Sequence, residues 1–269
     1  MILQKLPPFL NVVNSGIASL KIPKYSMTLT RLVLGLGGTS FTKAMIANIR
    51  IKAGVRIIYD VTGPVLDLIN QYKGIQANAG YLTIDFTERD AATLVGKEIG
   101  GYDLLNMDDL TVEVTIAGAT APTLTATAYL VPTQNNPLIQ KVLTFQVSTT
   151  ASGKLAIPFN PKGALVKRLH LIYEGTDWTG TTNGNINRME VKKNGIVIFD
   201  QSDLDNRFAQ QEYRKVPQSK HFCVDFLQDN NASGALVTQD ATALEWNAYL
   251  TAGDTVNVFA ELIDLPNNA

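Results

Sequence analysis

The sequence predicts an all-β protein: two tandem, eight-stranded antiparallel sandwiches, each with one short helix after its central hairpin. Three observations predict it. Distant blocks of the chain resemble one another in the same order. Apolar and polar residues alternate with period two inside those blocks. A tight-turn signal recurs at corresponding places in both copies.

The duplication is clearest where residues 46–60, "IANIRIKAGVRIIYD", meet 186–200, "INRMEVKKNGIVIFD", at an offset of 140. Ile46 matches Ile186, Lys52 matches Lys192, Ile58 matches Ile198 and Asp60 matches Asp200. The same offset pairs "YLTIDF" (81–86) with "HFCVDF" (221–226). Upstream, "SLKIP" (19–23) matches "KLAIP" (154–158), and "TRLVL" (30–34) matches "KRLHL" (167–171). Downstream, 110–131 matches 242–263 at an offset of 132, with Glu113 on Glu245 and Thr123 on Thr255. Small drifts in offset are what loop insertions between fixed strands produce.

Each copy reads in the same order. "LTVEVTI" (110–116) sets Leu110, Val112, Val114 and Ile116 on one face of a strand; "LTIDF", "FCVDF" and "VNVFAEL" (256–262) alternate likewise. Asn194-Gly195 predicts a hairpin turn, because both central positions need positive φ, and Ala53-Gly54 takes that place in the first copy. A helix follows each hairpin. Thr62 caps one to about Lys73, with Val65, Ile69 and Tyr72 on one side. Ser202 caps the other to about Arg214, with Asp203 and Asp205 suited to the helix dipole and Leu204 and Phe208 sharing a face. Two excursions, 88–108 and 227–241, separate the later strands. About eight strands per copy indicate Greek-key or jelly-roll topology. The expected division is an arm at 1–15, a first sandwich at 16–132, a connector at 133–150, a second sandwich at 151–264 and a tail at 265–269. Pro132, Asn135, Asn136 and Pro137 break the connector, and its "KVLTFQV" runs extended along a sheet.

Composition narrows the function. Net charge is −1 with no basic tract, so nucleic acid is not an expected partner. Cys223 is the only cysteine, which excludes an internal disulfide and a zinc site built of cysteines; it reads as a small core residue. No apolar run approaches a membrane span, and "MILQKLPPFLNVV" is too short and too broken by proline for a signal peptide, so a soluble chain is expected.

No residues are assigned to catalysis or to a cofactor. A jelly-roll metalloenzyme needs several converging histidines, and there are two, His170 and His221, read as satisfied or surface residues. "GLGGTS" (35–40) lacks the βαβ context of a phosphate loop and reads as a flexible link between strands. Asp103, Asp108 and Asp109, and Asp200, Asp203 and Asp205, are oxygen-rich clusters of the kind that holds calcium, although capping explains Asp203 and Asp205. Trp178, in the polar loop "GTDWTGTTNGN", is a loop anchor, a subunit contact or a carbohydrate-stacking ring; Trp246 is expected in the core.

The paired blocks "IRIKAGVRIIYD" and "MEVKKNGIVIFD", each followed by its helix, together with the paired "IDF" and "VDF" strands, resemble the double jelly-roll major capsid proteins of tailless, membrane-containing icosahedral bacteriophages, the corticovirus type most of all. The resemblance spans about 16–264 and implies a structural protein, not an enzyme. It implies homotrimers whose six similar lobes make a pseudo-hexagonal capsomer that tiles a virion shell over an internal membrane, assembled in the host cytoplasm. Neighbouring capsomers, a vertex protein and the membrane or its proteins are the implied partners, and calcium is compatible as a structural ion. Trimer faces of this kind bury on the order of 2,000 Å² or more. The alternative is a carbohydrate-binding tandem sandwich, motivated by Trp178 and the loop 176–185.

Overall fold

The computed structural model describes residues 1–133 and 136–268, so Asn135 of the expected break lies outside the described residues. It divides into two compact units: unit 1 is Met1–Gln71, Ile75–Leu143 and Ile263–Ala269, and unit 2 is Tyr72–Gly74 and Thr144–Leu262.

Unit 1 contains β1 (Ile2–Lys5), β2 (Gly16–Lys21), β3 (Met27–Ser40), β4 (Ile46–Ala53), β5 (Arg56–Val61), α1 (Gly63–Tyr72), β6 (Tyr81–Asp85), α2 (Leu94–Glu98), β7 (Tyr102–Asp103), β8 (Leu110–Ile116), β9 (Thr120–Pro132) and the start of β10 (Ile139–Thr149). One sheet runs β1-β9-β3-β6, with the short β7 beside β3; the other runs β5-β4-β8-β2, where Val142 of β10 pairs in parallel with Tyr59 of β5. Unit 2 contains the rest of β10, β11 (Gly153–Ile157), β12 (Leu165–Tyr173), β13 (Ile186–Lys193), β14 (Ile196–Ser202), α3 (Asp203–Glu212), β15 (His221–Asp225), β16 (Leu236–Val237), β17 (Leu244–Leu250) and, as far as Leu262, β18 (Asp254–Asp264). Its sheets run β10-β18-β12-β15, with β16 beside β12, and β11-β17-β13-β14.

Numbered in chain order within each unit, the eight principal strands run 1-8-3-6 in one sheet and 2-7-4-5 in the other, in both units. That order is the jelly roll, which resolves the topology the strand count left open. Residues 1–15, expected as an arm, hold the first strand of the first roll, with Ile2–Lys5 paired to Leu130–Thr127. Residues 133–150, expected as a connector, hold the first strand of the second.

The strands form where the alternation places them. On β8, Leu110, Val112, Val114 and Ile116 are buried while Thr111, Glu113 and Thr115 are half-buried. In unit 2, Leu169, Leu171, Val191, Phe222, Val224 and Trp246 share one core, where Trp246 packs on Phe159 and Phe226. Full burial of each such side chain contributes about 1.5–3 kcal/mol. Among the described residues no helix is long and apolar enough to cross a membrane.

Several expectations are corrected. Val112 lies opposite Ile51, and Trp246 opposite Val191, the counterpart of Ile51; Trp246 therefore matches Val112, an offset of 134 rather than 132. Leu20 opposite Val112 and Ile157 opposite Trp246 correct "SLKIP" by the same two residues. A slip of two keeps every side chain on its face, so alternation alone cannot detect it. The first hairpin turns at Gly54-Val55, one residue later than expected. Only Gly54 has positive φ (59°), as a type II′ turn requires, whereas Asn194 and Gly195 both have it (51° and 80°). The segment 35–40 is not a flexible link but the end of β3, paired from Gly35↔Thr125 to Ser40↔Thr120. Its glycines admit the facing strand: a Cβ on Gly38 (φ 105°) would lie 2.1 Å from the Ala121 carbonyl oxygen.

Both helices are capped as expected. Val65 N donates to Thr62 Oγ1 (3.4 Å) and Asp205 N to Ser202 Oγ (3.2 Å). The face that Leu204 and Phe208 were expected to share is not the inward one, since Phe208 is 63% exposed. Asp203, Asn206, Arg207 and Gln210 face inward instead.

Candidate functional site

Register and hydrogen bonding build a buried polar layer on one face of β12 and β15. The pairs Arg168↔Asp225 and His170↔Cys223 lie opposite each other, with His221 one diagonal step away. Side chains on one face of a pair repeat every second residue, so these five share a face while Leu169, Leu171, Phe222 and Val224 point to the hydrophobic core. α3 closes over them: Asn206 Nδ2 and Gln210 Nε2 each donate to the Cys223 carbonyl at 2.8 Å. Tyr72, of the short segment Tyr72–Gly74 in unit 2, lies edge-on to both imidazoles and donates to Asp225 Oδ2 at 2.8 Å.

Ion pairing runs through the layer. Arg168, fully buried, sits 3.0 Å from Asp225 Oδ2 through Nε and 3.0 Å from Glu261 Oε2 through Nη1, and Lys73 pairs with the other oxygen of Glu261. Two cations thus face two carboxylates. Burial opposes the charge of Glu261, but Lys73, then His170 and Arg168, hold its carboxyl well below the usual range. The two imidazoles stack with ring centres 5.2 Å apart, and His170 Nδ1 shares a 3.0 Å hydrogen bond with His221 Nε2. Burial depresses the pKa of both. Glu261 opposes the shift at His170; neighbouring His170 and Arg207 deepen it at His221. Burial pushes the Cys223 thiol up, and Asp225 adds to the shift.

The histidines are therefore neither surface residues nor fully satisfied, because His170 Nε2 is buried without a hydrogen-bond partner. Cys223 is buried as expected, but on the polar face rather than in the apolar core. His170, His221 and Cys223 bring their ligand-type atoms within 4.8 Å of one another, a third member that counting histidines could not supply. Strand register carried the signal: His170 and Cys223 become cross-strand neighbours once "KRLHL" pairs with "HFCVD".

The carboxylate clusters do not converge. Asp103 accepts from Leu105 N and Asn106 Nδ2, Asp109 pairs with Lys21 at 2.5 Å, Asp200 with Arg188 at 2.6 Å, Asp203 with Arg207 at 2.7 Å, and Asp205 with Ser202. Asp108 approaches the Gly54 turn. Trp178 is a loop anchor. The Arg207 guanidinium lies 4.5 Å over its ring, and Arg207 also donates to the carbonyls of Gln218 and His221. One face of the ring is thereby unavailable for stacking on a sugar.

The outer strands complete the geometry. β14 is the edge of its sheet and exposes Ile196 (68%), Val197 (47%) and Ile198 (38%). At the corresponding hairpin of unit 1, Val55 is 95% exposed.

Two eight-stranded jelly rolls of identical strand order in one chain define the double jelly-roll fold. The family model for the viral coat protein P2 N-terminal domain matches residues 3–132, and that for its C-terminal domain matches 139–266; the chain belongs to the viral coat protein P2 family and is a major capsid protein of that type. The solved major capsid protein P2 of bacteriophage PM2 is similar with a TM-score of 0.86 at 18% identity, over 98% of this chain and 97% of that one. The major capsid protein of STIV follows at 0.74 and 13%, over 98% and 96%, and the PBCV-1 virus capsid protein at 0.63 and 11%, over 98% and 94%. No curated protein sequence matches the chain. The family consists of coat proteins rather than enzymes, and nothing in these comparisons supports a carbohydrate-binding reading. As a capsid protein the chain is a component of the virion and assembles with further copies.

Proposed function

We propose that the chain forms homotrimers whose six jelly rolls make pseudo-hexagonal capsomers, and that these tile an icosahedral shell over an internal membrane. The observation that carries this reading is β14: an edge strand with one unpaired backbone side and with apolar Ile196, Val197 and Ile198 all exposed. An edge of that composition is a template for association and is costly to leave in water. Two rolls of the same strand order supply near-sixfold shape to a threefold particle. The partners in this reading are neighbouring capsomers, a vertex protein and the membrane or its proteins, with assembly in the host cytoplasm. A structural calcium belongs to it as an ion held between chains, because most acidic side chains of the candidate clusters already have partners within the chain. The native mass of the purified protein is the test. Three times the chain mass is expected, and a monomer at all concentrations, with or without calcium, would overturn the trimer.

A further inference from the structure

We propose that His170, His221 and Cys223 form a buried binding site for a soft d10 metal ion, copper(I) in particular. Two imidazoles and a thiol are the donor set that soft transition metals select. All three side chains are at most 2% exposed, and their ligand-type atoms lie within 4.8 Å of one another. The jelly roll itself does not require them. The duplication sets Val33 against His170, Tyr81 against His221 and Thr83 against Cys223, with Val33 opposite Thr83 just as His170 is opposite Cys223. In that copy Val33 and Thr83 are half-buried and Tyr81 is exposed. The same fold therefore forms with no donor set at these places.

The geometry lies a short movement from coordination. Metal–nitrogen bonds of about 2.0 Å hold two ligating nitrogens roughly 3.3–3.5 Å apart. His170 Nδ1 and His221 Nε2 are 3.0 Å apart, so an ion entering between them opens the pair by a few tenths of an ångström while the thiol turns in. When Nδ1 ligates, the ring proton resides on Nε2. That is the unpartnered buried atom, and it lies 3.9 Å from Glu261 Oε2. A carboxylate beyond the far nitrogen of a ligating histidine is the usual outer-shell arrangement, and it fixes the tautomer.

Charge selects the ion. Arg168 and Lys73 already balance Asp225 and Glu261. On binding, the Cys223 thiol releases its proton to solvent and becomes a thiolate. A monovalent ion then leaves the layer neutral, whereas a divalent ion adds a buried positive charge, which is costly. No electron transfer is involved, since the ion binds in its reduced state.

The test is anaerobic titration of the reduced full-length protein with copper(I) in competition with a chromophoric copper(I) chelator, with a parallel zinc(II) titration. X-ray absorption then reads the ligand atoms. The expected result is about one copper per chain, a shell of two nitrogens and one sulfur, and a rise in Tm of several degrees. Cys223→Thr and His170→Val place the other copy's residues at these positions and should each weaken binding at least about tenfold. Circular dichroism and native mass identify a variant that has merely failed to fold. For such a variant, sulfur and nitrogen in the wild-type absorption spectrum decide alone. Failure of the wild type to take up either metal, or a shell without sulfur, overturns the site. Zinc uptake with that shell and no copper overturns the choice of ion.

Discussion

Arg168 lies fully buried between Asp225 and Glu261, while its counterpart Arg31 keeps 23% of its side chain exposed and meets Asp85 at 3.6 Å. Truncating one partner of a buried ion pair strands the others. Arg168→Met should therefore cost about 3–5 kcal/mol in urea unfolding, and Arg31→Met less than half of that. Asp254 gives a pH prediction. Burial alone would raise its pKa, but donors from Asn185, Gly175, Glu174 and Thr255 more than offset this and hold it below the usual carboxylate value. A depressed folded pKa contributes stability that is present above the unfolded pKa and lost as pH falls through the folded one. The latch on residues 174–185 should accordingly loosen on acidification below about pH 4, where unfolded Asp titrates. Asp254→Asn should remove that pH dependence while lowering stability at neutral pH, as read by hydrogen exchange at Gly175. Of these residue-scale features the sequence made the carboxylates visible but not their partners. Glu261 and Arg168 are separated by 93 positions and meet only because β12 and β18 are neighbours.

Elements are duplicated more faithfully than side chains. The bulge between Ile51 and Lys52 recurs between Val191 and Lys192, and that between Ile46 and Asn48 recurs between Ile186 and Arg188. Asn70 of α1 donates to the Thr83 carbonyl at 2.8 Å, and Gln210 of α3, 140 residues later, donates to that of Cys223 at the same distance. Each helix is thus fastened to the strand that follows it. The caps are testable: Thr62→Ala and Ser202→Ala should each cost about 1 kcal/mol in thermal unfolding. Gly38→Ala should cost more than either, because the added Cβ meets the backbone of Ala121 and the φ of 105° is strained for any side chain. The hairpins, caps and alternating strands were legible because they depend on neighbours in sequence. The inward face of α3 was not. Arg207 pairs with Asp203 one helical turn before it, but its burial depends on Trp178 and two carbonyls supplied by other segments, which no helical periodicity can express.

At the scale of the molecule, two rolls with the same strand order carry different edges. β5 has Val142 of β10 beside it, whereas β14 ends its sheet with apolar residues outward. If the proposed trimer forms through this edge, Val197→Lys should shift the native mass toward monomer with little change in the circular dichroism spectrum, because a charge on an edge strand opposes pairing without disturbing the core. The equivalent change at the exposed tip, Val55→Lys, should leave folding intact, and its effect on mass reports whether the first hairpin also meets a neighbouring copy.

By itself the sequence determined that the chain is all-β, duplicated and built of jelly-roll-sized sandwiches, and it pointed to a capsid protein. The fold and the duplication follow from period-two alternation, turn chemistry and collinear matches, which are local or need only the order of segments, whereas the capsid reading came from the resemblance of the paired blocks to double jelly-roll capsid proteins. The tertiary structure alone decided register to within two residues, strand order, and the buried layer of Arg168, His170, His221, Cys223 and Glu261. The physical reason is that a two-residue slip leaves alternation unchanged, and a polar side chain reads as surface until the strands and helix that cover it are in place.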